Sequence, residues 1–144
     1  MLTVRAAGRA DIPSLCALEK ECFSLPWSEN GFEEFFSNGC AYAFVAEIDG
    51  TVCGYVGMYL ICGDGEITNL AVSEKYRRYG AATALIERLC DVPGLEKLLL
   101  DVRVSNTAAR TLYEKCGFKI DGTRRGFYEK PREDAILMSR EIQH

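Results

Sequence analysis

Two β-prone runs, Ala41–Ile48 and Thr51–Ile61, meet at Asp49-Gly50. Asp-Gly supplies the two positive-φ positions of a tight hairpin turn, so the runs should pair antiparallel. That hairpin sets the fold class, because helical patterns lie on both sides of it. Upstream, residues 3–6 form a short strand, and Asp11 precedes Ile12-Pro13, a cap followed by a first-turn proline. Ile12, Leu15, Leu18 and Cys22 then recur at helical spacing. Ser28 opens a second helix, with Trp27 before it and Phe32 after it at the two positions of a hydrophobic staple. Asn38-Gly39 closes that helix.

Downstream, the loop Cys62-Gly63-Asp64-Gly65 leads to a strand over residues 66–72. A helix follows, with Ala84, Leu85, Ile86 and Leu89 toward the core. Pro93-Gly94 interrupts the chain. Residues 97–102 are a nearly continuous apolar run, the pattern of a central strand covered on both faces. Ser105-Asn106 opens a helix to Cys116, Gly117 stops it, and strands over 119–129 and 135–141 close the order. Gly54 and Gly57 inside one strand imply a bulge or a close backbone approach. The expected architecture is α/β: one domain over residues 1–144, with a mixed, mostly antiparallel sheet flanked by helices.

At 144 residues the chain can bury a core. No run is apolar for long enough to span a bilayer, and no secretory signal is visible, so the cytoplasm is the expected compartment. The seven cysteines form no Cys-x-x-Cys pair and read as free, mostly buried thiols. The only histidine is His144, which argues against a zinc site and against a histidine-activated nucleophile. No metal is expected. The net charge of −4 argues against a general nucleic-acid binder. Glu19, Glu21, Glu29, Glu33 and Glu34 crowd the first helical region. They read as a solvated face, or as a weak field attracting a basic peptide.

The segment Asn69-Leu70-Ala71-Val72, then Arg77-Arg78-Tyr79-Gly80-Ala81-Ala82-Thr83, is a strand end, a basic loop and a helix start. It gathers free backbone N–H groups, a positive helix end and two guanidinium groups, which together suit a pyrophosphate. A basic turn capping an ordinary helix would look the same. Further on, Asn106, Arg110 and Tyr113 share one helical face, while Leu112 and Cys116 share another. Tyr113 is either a half-buried core tyrosine or a phenol presented for chemistry.

Arg-x-x-Gly-x-Ala resembles the acyl-CoA pyrophosphate loop of the GNAT acetyltransferases. Phe23-Ser24-Leu25-Pro26-Trp27-Ser28, Asp101-Val102-Arg103-Val104-Ser105-Asn106, Leu112-Tyr113-Glu114, Gly117-Phe118 and residues 133–138 resemble the RimI-type protein N-terminal acetyltransferases of that family. These matches span nearly the whole chain. The resemblance implies the acyl-CoA N-acyltransferase fold, acetyl-CoA as co-substrate and the N-terminal alanine of a small-subunit ribosomal protein as acceptor. It implies backbone contacts to the acetyl and pantetheine end from Leu70, Ala71 and Val72. Arg77, Arg78, Tyr79, Gly80, Ala81, Ala82 and Thr83 would wrap the pyrophosphate, and Asn106 would hydrogen-bond the co-substrate. Tyr113 would be the general acid. Trp27 and Tyr128 would contact the acceptor.

One position departs from the family pattern. The general base is a glutamate there, whereas this chain has Asp101, one methylene shorter. Asp101 is the base, acting through a water or on a closer substrate, or it is a strand-end carboxylate paired with Arg103 or a neighbouring strand. Glu66, on the adjoining strand, is the fallback base. With no histidine to activate a cysteine, direct transfer in a ternary complex is expected. The rival functions are acetylation of a small amine or lysine side chain, and an inactive acyl-CoA-binding module.

Overall fold

The computed structural model describes residues 1–129 and 131–143, so His144 lies outside the described residues. The strands are β1 (Leu2–Ala6), β2 (Ala41–Ile48), β3 (Thr51–Ile61), β4 (Asp64–Val72), β5 (Lys97–Arg103), β6 (Lys119–Tyr128) and β7 (Glu133–Glu141). The α-helices are α1 (Ile12–Cys22), α2 (Glu29–Ser37), α3 (Ala81–Cys90) and α4 (Thr107–Lys115). The strands form one sheet in the order β1-β2-β3-β4-β5-β7-β6. Every neighbouring pair is antiparallel except β4 with β5.

The Asp49-Gly50 turn forms as its residues require, with φ of 51° and 82°. The stretch read as the loop 62–65 is a second two-residue hairpin instead. Cys62 and Gly63 take φ of 51° and 88°, and β4 begins at Asp64. A cysteine in the left-handed region is rare, so the glycines of this stretch signal a loop but not a two-residue turn. Both roles left open for the β3 glycines are filled. The register of β3 and β4 slips between Gly57 and Met58, which leaves Thr68 as the extra residue of a bulge. A Cβ at Gly54 would stand 2.9 Å from the Ala71 carbonyl oxygen.

The sheet is covered on two sides. Leu85, Ile86 and Leu89 of α3 pack with Met58, Leu98, Leu100 and Val102 on one face. Leu15, Leu18 and Phe32 pack with Val45, Tyr55 and Ala71 on the other. Burial of each large apolar side chain contributes about 1.5–3 kcal/mol. Ala81 takes the core position expected of Ala84, which is half-buried. β5 is not covered equally on both faces: Leu98, Leu100 and Val102 are buried, and the residues alternating with them are half-buried.

Several local expectations are corrected. The Asp11 side chain does not cap α1. It accepts the Arg5 guanidinium at 3.0 and 2.8 Å and the Gly8 N–H at 2.9 Å, a stronger donor set than a helix end offers. Ser28 does cap α2, accepting from Gly31 N at 3.1 Å, and the Trp27 and Phe32 ring centroids lie 5.3 Å apart as the staple requires. The cysteines are all free, but only Cys53 and Cys116 are buried, while Cys40 and Cys62 are exposed. Among the described residues no helix is long and apolar enough to cross a membrane.

Candidate active site

The parallel ladder between β4 and β5 is short, pairing residues 64–66 with 97–99. Beyond it the strands part, and a cleft of about 350 Å³ opens between them. Ile67, Thr68, Asn69 and Leu70 form one wall, and Leu100, Asp101, Val102 and Arg103 form the other. Phe23, Ser24, Leu25 and Trp27, between α1 and α2, close one side. Asn106, Ala109 and Tyr113 from α4, with Tyr128 of β6, close another. The β4 edge facing the gap has no strand partner past Glu66, so its main-chain groups there are open to a ligand.

Six of the residues singled out in the sequence meet at this cleft: Trp27, Leu70, Asp101, Asn106, Tyr113 and Tyr128. Glu66 does not line it. It lies in an adjoining pocket of about 260 Å³ with Asp121 and Arg124, and Asp101 borders both spaces. Ala71 and Val72 are buried at the end of β4. The Val72 carbonyl is occupied, accepting from Arg77 Nε at 3.1 Å and from the Cys22 thiol at 3.5 Å.

The charges around Asp101 bear on its two readings. Arg103 does not pair with it. That guanidinium bonds Glu133 at 3.2 Å, the carbonyls of Pro131 and Glu129 at 2.9 and 3.0 Å, and lies 4.5 Å from the centre of the Tyr128 ring. Asp101 has no ion pair among the described residues. Burial raises the Tyr128 phenol, and the Asp101 carboxylate raises it further against Arg103. Tyr113 is buried between core and cleft, its ring edge-on to Phe118 at 5.5 Å. Burial pushes its phenol up to about 12, with smaller contributions from Tyr128 and Cys116. Tyr113 therefore holds its proton across the neutral range. Tyr113 is thus a core tyrosine, as one sequence reading has it, and it also lines the cleft.

Asn106 caps α4, its Oδ1 accepting from Ala109 N at 3.2 Å, which leaves its Nδ2 uncommitted on a residue that lines the cleft. Arg110, on the same helical face, bonds the Val104 carbonyl at 3.1 Å.

The segment after β4 is a 3-10 helix, Glu74–Tyr79, then Gly80 with φ 78°, then α3. Gly80 has no side chain to cap α3, and no other side chain among the described residues does so. The N–H groups of Ala82 and Thr83, on half-buried and exposed residues, thus have no side-chain cap, which is the arrangement that binds anions, while Ala81 is buried. Arg78, Tyr79 and Gly80 are exposed. Arg77 is also exposed, but its Nε is tied to Val72, so one edge of that guanidinium is already used.

Glu19 is a residue that the sequence reading passes over. Read with its neighbours as a solvated face, it is 0% exposed and borders the cleft. It accepts from Trp27 N at 2.8 Å, Tyr55 OH at 2.5 Å and Asn69 Nδ2 at 2.9 Å. The signal was its place in the α1 stripe: 12, 15, 19 and 22 share one face, and a charge inside an apolar stripe marks a buried partner. The other glutamates scatter. Glu21 receives Ser73 Oγ and Glu74 N at the start of the basic segment, and Glu33 pairs with Arg9.

The family model for the acetyltransferase (GNAT) family matches residues 12–118. This chain belongs to the GNAT acetyltransferases. A ribosomal protein bS18-alanine N-acetyltransferase of Escherichia coli is 33% identical, with 96% of this chain and 97% of that protein covered. A relative in Bacillus subtilis with the same name, marked putative, is 34% identical over 94% of this chain and 92% of its own. The crystal structure of the ribosomal-protein-S18-alanine N-acetyltransferase from Escherichia coli superposes with a TM-score of 0.92 at 32% identity, covering 100% of this chain and 96% of that one. The protein is an acetyl-CoA-dependent N-acetyltransferase, and the sheet and helices are those of the GNAT fold.

The site fits that co-substrate. The open β4 edge suits the amides of a pantetheine arm, and the uncapped α3 N-terminus with Arg78 suits a pyrophosphate. When bound, acetyl-CoA supplies an activated acetyl thioester.

Proposed function

We propose that this chain acetylates the N-terminal α-amine of a protein, the acceptor being the alanine of a bS18-type ribosomal protein, in the cytoplasm. The observation that carries this reading is the end-to-end match to proteins named for that acceptor. The geometry supports it: the loop before α2 and Tyr128 border the cleft from opposite sides and leave room for a chain end. Asp101 takes the proton released by the attacking amine, directly or through a water. Tyr113 holds a proton for the departing sulfur. Leu70 and the neighbouring β4 backbone, Asn106, and the segment Arg78 to Thr83 hold the co-substrate. No cysteine is used, so transfer is direct within a ternary complex.

The test is incubation of the protein with acetyl-CoA and a peptide carrying the N-terminal sequence of the host's own bS18. Mass spectrometry should place one acetyl group on the terminal amine. Acetylation confined to lysine side chains or small amines would replace the acceptor. Acetyl-CoA binding with no turnover on a broad amine panel would leave only a binding module.

A further inference from the structure

Asn69 has one committed end and one open end. Its Nδ2 donates to the Glu19 carboxylate at 2.9 Å. A carboxylate that already accepts from Trp27 N and Tyr55 OH offers no donor, so it fixes which way the amide faces. The Asn69 Oδ1 is buried and has no hydrogen-bond partner among the described residues. Asn69 lies at the β4 bulge on the cleft wall opposite Asp101. An orphaned buried acceptor is costly to keep, and the residue that carries this one lines the cleft.

We propose that Glu19 is a positioning residue, which holds the Asn69 side chain so that its Oδ1 accepts an N–H of the attacking amine. The bond orients the nitrogen lone pair toward the thioester carbonyl. One amine N–H is thus held by Asn69 while the proton lost in the reaction leaves toward Asp101. Glu19 takes no proton. This rests on the function proposed above, in that the amine is a peptide α-amine.

Glu19→Gln keeps the shape but places an amide NH2 beside Asn69. The Asn69 amide then turns to offer Oδ1 to it, and Nδ2 faces the cleft, a donor where an acceptor is needed. Steady-state kinetics with the bS18 peptide should show the peptide KM raised about tenfold, the loss of one hydrogen bond. The acetyl-CoA KM should stay within about twofold of wild type, and the acid limb of kcat/KM should not move. Asn69→Leu should give the same peptide defect with Glu19 intact, and it stands in if Glu19→Gln does not fold. In the double variant the second substitution should add nothing to the peptide KM. Additive defects, an unchanged peptide KM in Asn69→Leu, or a shifted acid limb in Glu19→Gln would each overturn the proposal. A wild-type enzyme inactive on the peptide would instead refute the acceptor, and the same comparison would then use whichever primary amine the wild type acetylates.

Discussion

Along the β4 wall of the cleft, polar groups are bonded to one another. Glu19 gathers Trp27, Tyr55 and Asn69, and Glu21 holds Ser73 and Glu74 where the basic segment begins. Along the opposite wall, Asp101 has no ion pair among the described residues, and Tyr113 is held by packing against Phe118. A wall tied together in this way fixes geometry, even with Thr68 Oγ1 and Asn69 Oδ1 left without partners among the described residues. A wall whose proton-carrying groups are packed but not paired leaves them free to exchange protons with a substrate. Substitutions on the two walls should therefore fail differently, one in stability or acceptor binding and the other in turnover.

The largest separation should come from Tyr113→Phe. It removes the proposed general acid, so kcat should fall about 10²–10⁴-fold with acetyl-CoA affinity unchanged. Calorimetric titration beside a thiol-release assay measures both. Asp101→Asn should lower kcat/KM about 10²-fold and abolish its acid limb, whereas Glu66→Gln, in the adjoining pocket, should change it less than about threefold. The reverse ranking would make Glu66 the base and move the chemistry out of the cleft.

Tyr55→Phe tests the bonded wall. It takes one donor from a buried carboxylate and should cost about 1–3 kcal/mol in denaturant unfolding. Alkaline stability sharpens the contrast. Burial raises both Tyr55 and Tyr113 above the ordinary phenol value near 10. Above pH 10 the unfolded chain has lost protons that the native state keeps, so stability falls as pH rises. The Tyr113 share of that fall ends at about pH 12, and Tyr113→Phe should remove it. The smallest effect belongs to the rim: Ser28→Ala loses the α2 cap and about 1 kcal/mol, read from a thermal melt.

How much could be read in advance follows the range of the forces involved. The Asp49-Gly50 hairpin, the Ser28 cap and the strand–turn–helix at Gly80 are local, and their residue chemistry specifies them. Asp101, Asn106 and Tyr113 were located by family pattern, and the fold brings them to one cleft. What stayed hidden depends on distant partners. Glu19 and Glu21 are two residues apart with the same side chain. One is buried because Tyr55 and Asn69 come from β3 and β4 to meet it, and the other is exposed. Asp11 was read as a cap because its partner, Arg5, lies outside the helix. The glycines mark residues 62–65 as a break between strands, but a two-residue turn there needs Cys62 at a φ of 51°, which its side chain does not announce.

The sheet stays open at one end, where β4 and β5 no longer touch. Main-chain groups along that edge have no strand partner among the described residues, so a molecule bonded to them in the gap would take the place of an eighth, borrowed strand. Each bond it makes counts toward folding as well as affinity, because the unfolded chain offers no such edge. Stability against unfolding should therefore rise with the concentration of the protein's own co-substrate.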